Sequence, residues 1–164
     1  MKRALLAVGL LALVAVVFVG GWLAGRSAIG SVVAPASMSE AERAFADRMR
    51  GVSLIGSFTI DGREGRTPRP DRYDIDSVEK VGDDQWRFNA RMECCGLEGT
   101  TLPIVVPMRF AGDTPMIAMT DTSLPGIGTF TVRVFFYGDR YAGTWQHGPV
   151  GGQMNGTITR SGAP

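Results

Sequence analysis

The only histidine of the chain is His147, and three aspartates are conceivable partners for it: Asp113, Asp121 and Asp139. A hydrolytic triad requires a histidine that is oriented by a carboxylate and reaches a nucleophile. The spacing of these residues does not connect them, and base rates favour a protein without catalysis. We therefore expect that the protein is not an enzyme and has no catalytic residues.

Metal and cofactor chemistry has little support in the sequence. Cys94 and Cys95 are adjacent, and the chain contains no C-x-x-C, H-E-x-x-H or C-x-x-C-H motif. Zinc and c-type haem are therefore not expected, and no metal or cofactor is predicted. In a strand the two thiols would face opposite sides, one buried and one exposed. In an oxidising compartment the exposed thiol could pair with another chain, or the two could form a strained vicinal bridge.

Two further segments could bind anions, but their patterns favour loops. "GPVGG" at residues 148–152 is followed by no Gly-Lys-Ser/Thr, so it is not a phosphate-binding P-loop. "DGREGRTPRPDR" at residues 61–72 is predicted to be a solvated loop, because acidic residues interleave with its arginines. The arginines are Arg63, Arg66, Arg69 and Arg72, and the acids are Asp61, Glu64 and Asp71.

Net charge argues against a nucleic-acid partner. Three of the 17 basic residues, Lys2, Arg3 and Arg26, precede Ser37, which leaves 14 against all 16 acidic residues in the remainder. A nucleic-acid-binding domain carries a clear excess of basic residues. We therefore expect no nucleic-acid binding.

The N-terminal segment is typical of a membrane anchor. Residues 4–25 carry no charge, and about 20 apolar residues are enough to cross a bilayer. A secretory signal peptide is the alternative, but its apolar run is usually only about 7–15 residues long. We predict an anchor at residues 1–26 and a linker at 27–37. Lys2 and Arg3 hold the N-terminus in the cytoplasm, so the remainder is extracytoplasmic, on the outer side of the cytoplasmic membrane.

A short amphipathic helix is predicted at residues 38–51. Ser39 followed by Glu42 is a capping box. Phe45, Met49 and Val52 then recur at steps of four and three, which places them in one apolar stripe. The helix should run from about residue 40 to residue 50 and end at Gly51.

From residue 52 the hydrophobic period changes to two, which indicates strands. The predicted strands are residues 52–60, 72–80, 85–94, 101–110, 116–120, 129–137, 140–147 and a last strand ending near 160. Val78 is out of phase with Tyr73, which indicates a bulge. Pro103 and Pro107 cannot donate ladder hydrogen bonds, so their strand should lie at an edge or seam.

Eight short strands joined by short turns predict an all-β domain at residues 52–160. Consecutive strands should be antiparallel neighbours, and such a meander closes most naturally into an up-and-down, lipocalin-like barrel. A sandwich is the alternative. A barrel of this size is either filled by side chains or holds one small ligand.

Large side chains on the predicted inward faces are the candidate ligand contacts. Most inward aromatic residues should simply form the core. The candidate ligand-binding residues are Trp86, Phe88, Met108, Phe130, Tyr141 and Trp145. Apolar residues on nominally outward faces are candidates for a docking surface instead; they are Ile55, Val105, Phe135 and Tyr137.

The motif Gly143-Thr144-Trp145, with Tyr141 before it and Gly151, Gly152, Met154 and Gly156 after it, resembles the G-x-W hairpin of the lipocalin and avidin (calycin) barrels. That resemblance implies a barrel that binds a small, usually apolar, ligand. In those families the motif lies on the first strand, whereas here it lies on the seventh, so no ligand or pocket residue carries over.

The run "FAGDTPMIAMT", "PGIGTFTVRVFFYGDRYAGTW" and "HGPVGG" also resembles a family of small membrane-anchored bacterial β-barrel proteins of uncharacterised role. This resemblance covers residues 45–158 and implies the architecture but no activity. We therefore expect an anchored barrel that binds a small apolar or lipid-like ligand. The alternative is a non-catalytic structural or protein-interaction module of the cell envelope.

Overall fold

A computed structural model gives the structure of the protein and describes residues 30–63, 65–92, 99, 101–124 and 128–160. The residues from Val32 onward form a unit of their own. Within the described residues, no helix has the length and apolar character to cross a bilayer. The predicted anchor and the two cysteines, Cys94 and Cys95, lie outside the described residues. The predicted linker contains a single turn of 3₁₀ helix, Pro35–Ser37.

Helix α1 (Glu40–Arg48) begins at the predicted capping box. The Glu42 N–H donates to the Ser39 hydroxyl over 3.2 Å, and the Ser39 N–H donates to the Glu42 carboxylate over 2.8 Å. The helix ends one residue before Met49, and Gly51 follows with a positive φ of 62°. The predicted apolar stripe is confirmed, because Phe45 is 2 % exposed and Met49 is fully buried.

Eight antiparallel strands follow and close into a barrel in chain order, with the first strand paired to the last. They are β1 (Val52–Phe58), β2 (Arg69–Lys80), β3 (Gln85–Met92), β4 (Thr101–Ala111), β5 (Thr114–Leu124), β6 (Gly128–Tyr137), β7 (Arg140–His147) and β8 (Val150–Arg160). The prediction of an up-and-down barrel is confirmed, and the sandwich is wrong.

The strand connections alternate between two ends of the barrel because consecutive strands run in opposite directions. We call the end with α1 and the β2–β3, β4–β5 and β6–β7 turns the helix end. The other end, with the β1–β2 connection and the β7–β8 turn, is the loop end. The salt bridge between Lys80 and Glu42, at 2.6 Å, ties α1 to the end of β2.

Two strands differ in extent from the prediction. β2 begins at Arg69 rather than at residue 72, and the bulge predicted in it is present as a register shift between Ile75 and Ser77. β5 is about twice as long as predicted, because a second register shift lets it continue beyond Met119. Asp121 lies in that shift with a positive φ of 45°. The residues beside Asp121 are polar, so hydrophobic alternation does not predict a strand over this part of β5.

The proline-containing strand β4 was predicted to lie at an edge or a seam. It has neighbouring strands on both sides, so the edge is wrong. A seam is present, because its pairing with β5 is incomplete. Among the described residues of β4 and β5, paired positions run only from Met108–Ile117 to Ala111–Thr114. The Met108 N–H donates to Asp84 on the β3 side over 2.7 Å. Because successive backbone N–H groups of a strand point to opposite sides, the backbone nitrogen of Pro107, one residue earlier, points toward β5. Because proline has no N–H, the ladder stops there.

The helix end of the barrel interior is filled. The Phe45 ring lies within 5.4–6.4 Å, centroid to centroid, of four interior rings. These are Trp86, Phe88, Phe110 and Phe136. The angles between the ring planes, 51–82°, are those of tilted and edge-to-face pairs, which aromatic quadrupoles favour. Helix α1 therefore closes this end of the barrel through one buried ring.

Replacing Phe45 with Ala should lower the free energy of unfolding by about 3–5 kcal/mol, because the cavity left among the four rings cannot fully collapse. Urea unfolding measures the change. Asp47→Ala, at an exposed position of the same helix, is the control and should stay within about 0.5 kcal/mol of the unmodified protein. Equal losses in both variants would show that α1 does not close the barrel in solution.

Candidate functional site

Three of the predicted ligand-binding residues belong to the filled part of the barrel. Trp86, Phe88 and Met108 are 1 %, 6 % and 2 % exposed. Trp86 and Phe88 pack directly against Phe45 from α1. The sequence could not anticipate this, because the inward faces of the strands do not reveal that a helix inserts a ring between them. These three residues therefore belong to the packed helix end of the interior.

Of the other three predicted residues, Phe130 and Trp145 lie toward the loop end, whereas Tyr141 lies near the start of β7 and pairs with Phe136. Tyr141 is buried, and Trp145 and Phe130 are half-buried. Trp145 packs edge-on against Phe58, with ring centroids 5.7 Å apart. Its indole N–H is buried and has no hydrogen-bond partner in the described part of the chain. Phe130 stacks on His147 at 4.6 Å. These aromatic pairs line the loop end of the barrel.

Further interior positions toward the loop end keep part of their surface exposed. Strand register places them on the same inward face as Tyr141 and Trp145, two on β6 and one each on β4, β5 and β8. The apolar, half-buried residues of this set are Ile104, Leu124, Phe130, Val132 and Met154. We call these five residues the loop-end lining. Apolar interior side chains that remain part exposed are typical of a ligand cavity.

His147 is separated from most of its conceivable acidic partners. It ends β7 at the loop end, whereas Asp113 and Asp139 lie in turns at the helix end. Asp121 instead accepts a hydrogen bond from the Thr131 hydroxyl at 3.2 Å. The geometry therefore assembles no His–Asp pair from these residues. Among the described residues, no cluster of His, Cys, Asp and Glu side chains could hold a metal ion.

Asp71 is the residue that the sequence prediction misplaced. The prediction of a solvated loop over residues 61–72 is wrong for its last four residues, which belong to β2. Asp71 is 3 % exposed and points into the barrel, in phase with Tyr73 and Ile75. The alternation of Asp71 with Tyr73 and Ile75 is the sequence feature that could have indicated an inward-facing side chain. The neighbouring arginines instead favoured the prediction of a solvated loop.

The buried Asp71 carboxyl is held by tyrosines. The Tyr141 hydroxyl donates to Asp71 Oδ1 over 3.0 Å, and Tyr73 supplies a second side-chain hydrogen bond. The second carboxyl oxygen, Oδ2, is buried without a partner in the described part of the protein. Burial raises the pKa of Asp71, and the two tyrosine bonds offset part of that rise. Burial first, and then the nearby Asp71 charge, raise the pKa of Tyr141.

Two glycines make the Asp71–Tyr141 contact possible. Cross-strand register aligns Asp71 with Gly56, Gly56 with Gly156, and Gly156 with Tyr141. We call these four residues the interior row. A Cβ at Gly56 would lie 2.4 Å from the Tyr141 hydroxyl, and one at Gly156 would lie 2.7 Å from its ring. Tyr141 therefore crosses two strands that have no side chains there and reaches the carboxyl on the third.

Replacing Gly56 with Ala should displace the Tyr141 hydroxyl from Asp71 and lower the free energy of unfolding by about 1–3 kcal/mol, the usual cost of overpacking. Urea unfolding measures it. Gly82→Ala is the control, since its Cβ would meet only the Gln85 side chain, at 3.3 Å. A Gly56→Ala variant as stable as the control would contradict the close approach in the interior row.

The buried Asp71 carboxyl also predicts a pH dependence. Because its folded-state pKa lies above the ordinary value of 3.8, the folded state binds the Asp71 proton more tightly than the unfolded state. The resulting stability is complete below the ordinary pKa and is lost as pH rises through the raised one. The stability of the unmodified protein relative to Asp71→Asn should therefore fall as pH increases above about 4.

Urea unfolding of both proteins between pH 3.5 and pH 8, values bracketing the ordinary carboxyl range, tests this expectation. Asp76→Asn removes an exposed carboxyl from the same strand and serves as the matched control. If the stability difference between the unmodified protein and Asp71→Asn stayed constant or grew with pH, the burial of Asp71 would be wrong.

Comparison with known proteins gives no match, so the proposed function is based on the geometry of the structure. No protein-family model matches the chain, and neither curated protein sequences nor solved structures give a match. The resemblances to calycin barrels and to anchored bacterial barrel proteins stay predictions.

Proposed function

We propose that this protein is a membrane-anchored extracytoplasmic barrel that binds a small apolar or lipid-like ligand in the loop-end half of its interior. The main support is the unequal burial of the interior. At the helix end, Phe45 and three of its four ring neighbours, Trp86, Phe88 and Phe136, are buried, whereas all five residues of the loop-end lining are only half-buried. Covering exposed apolar surface gains about 25 cal/mol per Å², so an apolar ligand would be stabilised there.

The geometry favours entry from the loop end. At the helix end, α1 and its salt bridge to Lys80 obstruct access. Tyr141, which pairs with Phe136 and is only 1 % exposed, lies along the interior row over β8 and β1. The partial β4–β5 seam lies on the loop-end side of Met108 and borders Ile104. A ligand that enters at the loop end would therefore contact the lining residues and stop at the interior row.

The proposed location depends on the sequence of the first 26 residues. Residues 4–25 are uncharged and long enough to cross a bilayer, and Lys2 and Arg3 precede them. A single span with a cytoplasmic N-terminus would place the barrel outside the cytoplasmic membrane. There it would have access to lipid-like molecules of the envelope.

The second candidate function is a non-catalytic interaction module of the envelope. Three residues predicted to face outward are exposed, with Ile55 at 42 %, Phe135 at 46 % and Tyr137 at 69 %. The cross-strand neighbours of Phe135 are Met116 and Ala142, which extend the apolar surface over three strands. An apolar outer wall favours docking of a partner, but it does not account for the half-buried interior.

Filling the loop-end half should abolish ligand binding. Val132→Trp adds a large side chain to the inward face of β6, and Thr129→Trp adds the same side chain at an exposed position of that strand. Native mass spectrometry of the full-length protein in dodecyl maltoside should detect a bound small molecule in the unmodified protein and in Thr129→Trp. Occupancy in Val132→Trp should fall about tenfold, which needs only about 1.4 kcal/mol of lost contact.

A bound mass that is retained equally by Val132→Trp would place the ligand elsewhere and contradict the proposal. So would the absence of any bound mass in the unmodified protein after extraction and after addition of a series of fatty acids. Urea unfolding of the two tryptophan variants shows whether a loss of binding reflects a loss of the fold.

A further inference from the structure

The connection between β1 and β2 begins as an extension of the barrel wall. Beyond Phe58, the Thr59 N–H donates to Gln153 and the Asp61 N–H donates to Gly151, both over 2.8 Å. The chain then turns, with the Arg63 N–H bonded to Ile60 and the Arg66 N–H bonded to Arg63. These bonds hold the described part of the connection against β8 and give it a defined shape at the loop end.

A pocket of about 480 Å³ lies between this connection and β8. Its lining includes Arg63, Arg66 and Arg69 from the connection and the start of β2, together with one acid, Asp61. Phe58 and Gln153 contribute the barrel side of the pocket. Among the described lining residues, three cationic side chains thus face a single carboxylate. We call this the arginine pocket.

The three arginines of this pocket have no ion-pair partner in the described part of the structure, and all three are exposed. Three arginines on the barrel wall behave differently, because they pair with neighbouring acids at 2.7–2.9 Å. These pairs are Arg72–Asp74, Arg87–Glu79 and Arg109–Asp84. The arginine pocket therefore concentrates guanidinium groups that form no ion pair with any described acidic side chain.

The burial of Asp71 contributes to this imbalance. Asp71 is two residues from Arg69 and on the same face of β2, but it lies deeper in the barrel, where it is 3 % exposed and accepts a hydrogen bond from the Tyr141 hydroxyl, whereas Arg69 is exposed at the start of the strand. One of the acids that interleave with the arginines in the sequence is thus withdrawn from the pocket. Guanidinium groups bind phosphate oxygens through paired, charge-assisted hydrogen bonds.

We propose that the arginine pocket is an oxyanion site that binds a phosphate group. Phe58 lines the pocket and also packs against Trp145 inside the barrel mouth. A phosphate in the pocket would therefore lie beside the loop-end lining. The class of the whole ligand rests, in addition, on the proposed function. That ligand is an amphiphile with a phosphate head group in the pocket and an apolar tail in the barrel.

The experiment measures binding of inorganic phosphate to the full-length protein in dodecyl maltoside by isothermal titration calorimetry. The test variant is Arg63→Gln/Arg66→Gln/Arg69→Gln. The control is Arg50→Gln/Arg140→Gln/Arg160→Gln, which removes the same charge from exposed positions outside the pocket. The affinity of the control variant for phosphate should stay within about twofold of that of the unmodified protein. The affinity of the test variant should fall at least about tenfold, because the loss of even one hydrogen bond to a charged group is enough to weaken binding by that factor.

No heat of phosphate binding to the unmodified protein, or equal loss of affinity in both triple variants, would overturn the site. The second outcome would mean that only net charge attracts the anion. Far-ultraviolet circular dichroism of both variants controls for folding.

A second titration distinguishes free phosphate from a lipid head group. Dihexanoyl phosphatidic acid should bind the unmodified protein more tightly than inorganic phosphate, and Val132→Trp should remove that gain while leaving phosphate binding unchanged. If both compounds bind equally and Val132→Trp has no effect, the arginine pocket stands as a site for free phosphate and the proposed barrel function fails. If the lipid binds but phosphate does not, and the arginine variants have no effect, the pocket fails and the barrel function stands.

Discussion

The barrel depends on the contact that Tyr141 makes with Asp71 across the interior row. β1 and β8 are the first and last strands, and their pairing closes the barrel. Gly56 and Gly156 face each other in that pairing. Since neither has a side chain, Tyr141 on β7 reaches over both to the carboxyl on β2. One hydrogen bond therefore spans the closing pair, and it also satisfies part of a buried carboxyl that would otherwise oppose folding.

The two ends of the barrel interior differ. Toward the helix end, Phe45 packs among four aromatic rings, of which Trp86, Phe88 and Phe136 are buried and Phe110 is half-buried. Toward the loop end, the five lining residues keep part of their surface accessible.

Sequence periodicity was sufficient for the strands, the capped helix and the closed meander, because each depends on local alternation or a local hydrogen bond. It was insufficient for Asp71, whose burial depends on Tyr141, 70 residues away. It was also insufficient for the packing of the helix end, because alternation places Trp86 and Phe88 inward but does not show that Phe45 fills the space between them. A sequence pattern predicts which side of a strand a side chain faces, whereas the description of a site requires the distances between several side chains.

The segment from residue 61 to residue 72 illustrates the same difference for charge. Summed along the sequence, its acids nearly offset its arginines, which favoured a solvated loop. In the barrel these charges are divided among separate surroundings: Arg69 lines the loop-end pocket, Asp71 is inside, and Arg72 pairs with Asp74 at 2.9 Å. Adjacent residues of a strand face opposite sides, so Arg72 lies on the other face from Asp71. Arg69 shares the face of Asp71 but is exposed at the start of the strand, whereas Asp71 is buried. The excess of positive charge in the arginine pocket is thus a consequence of where β2 begins.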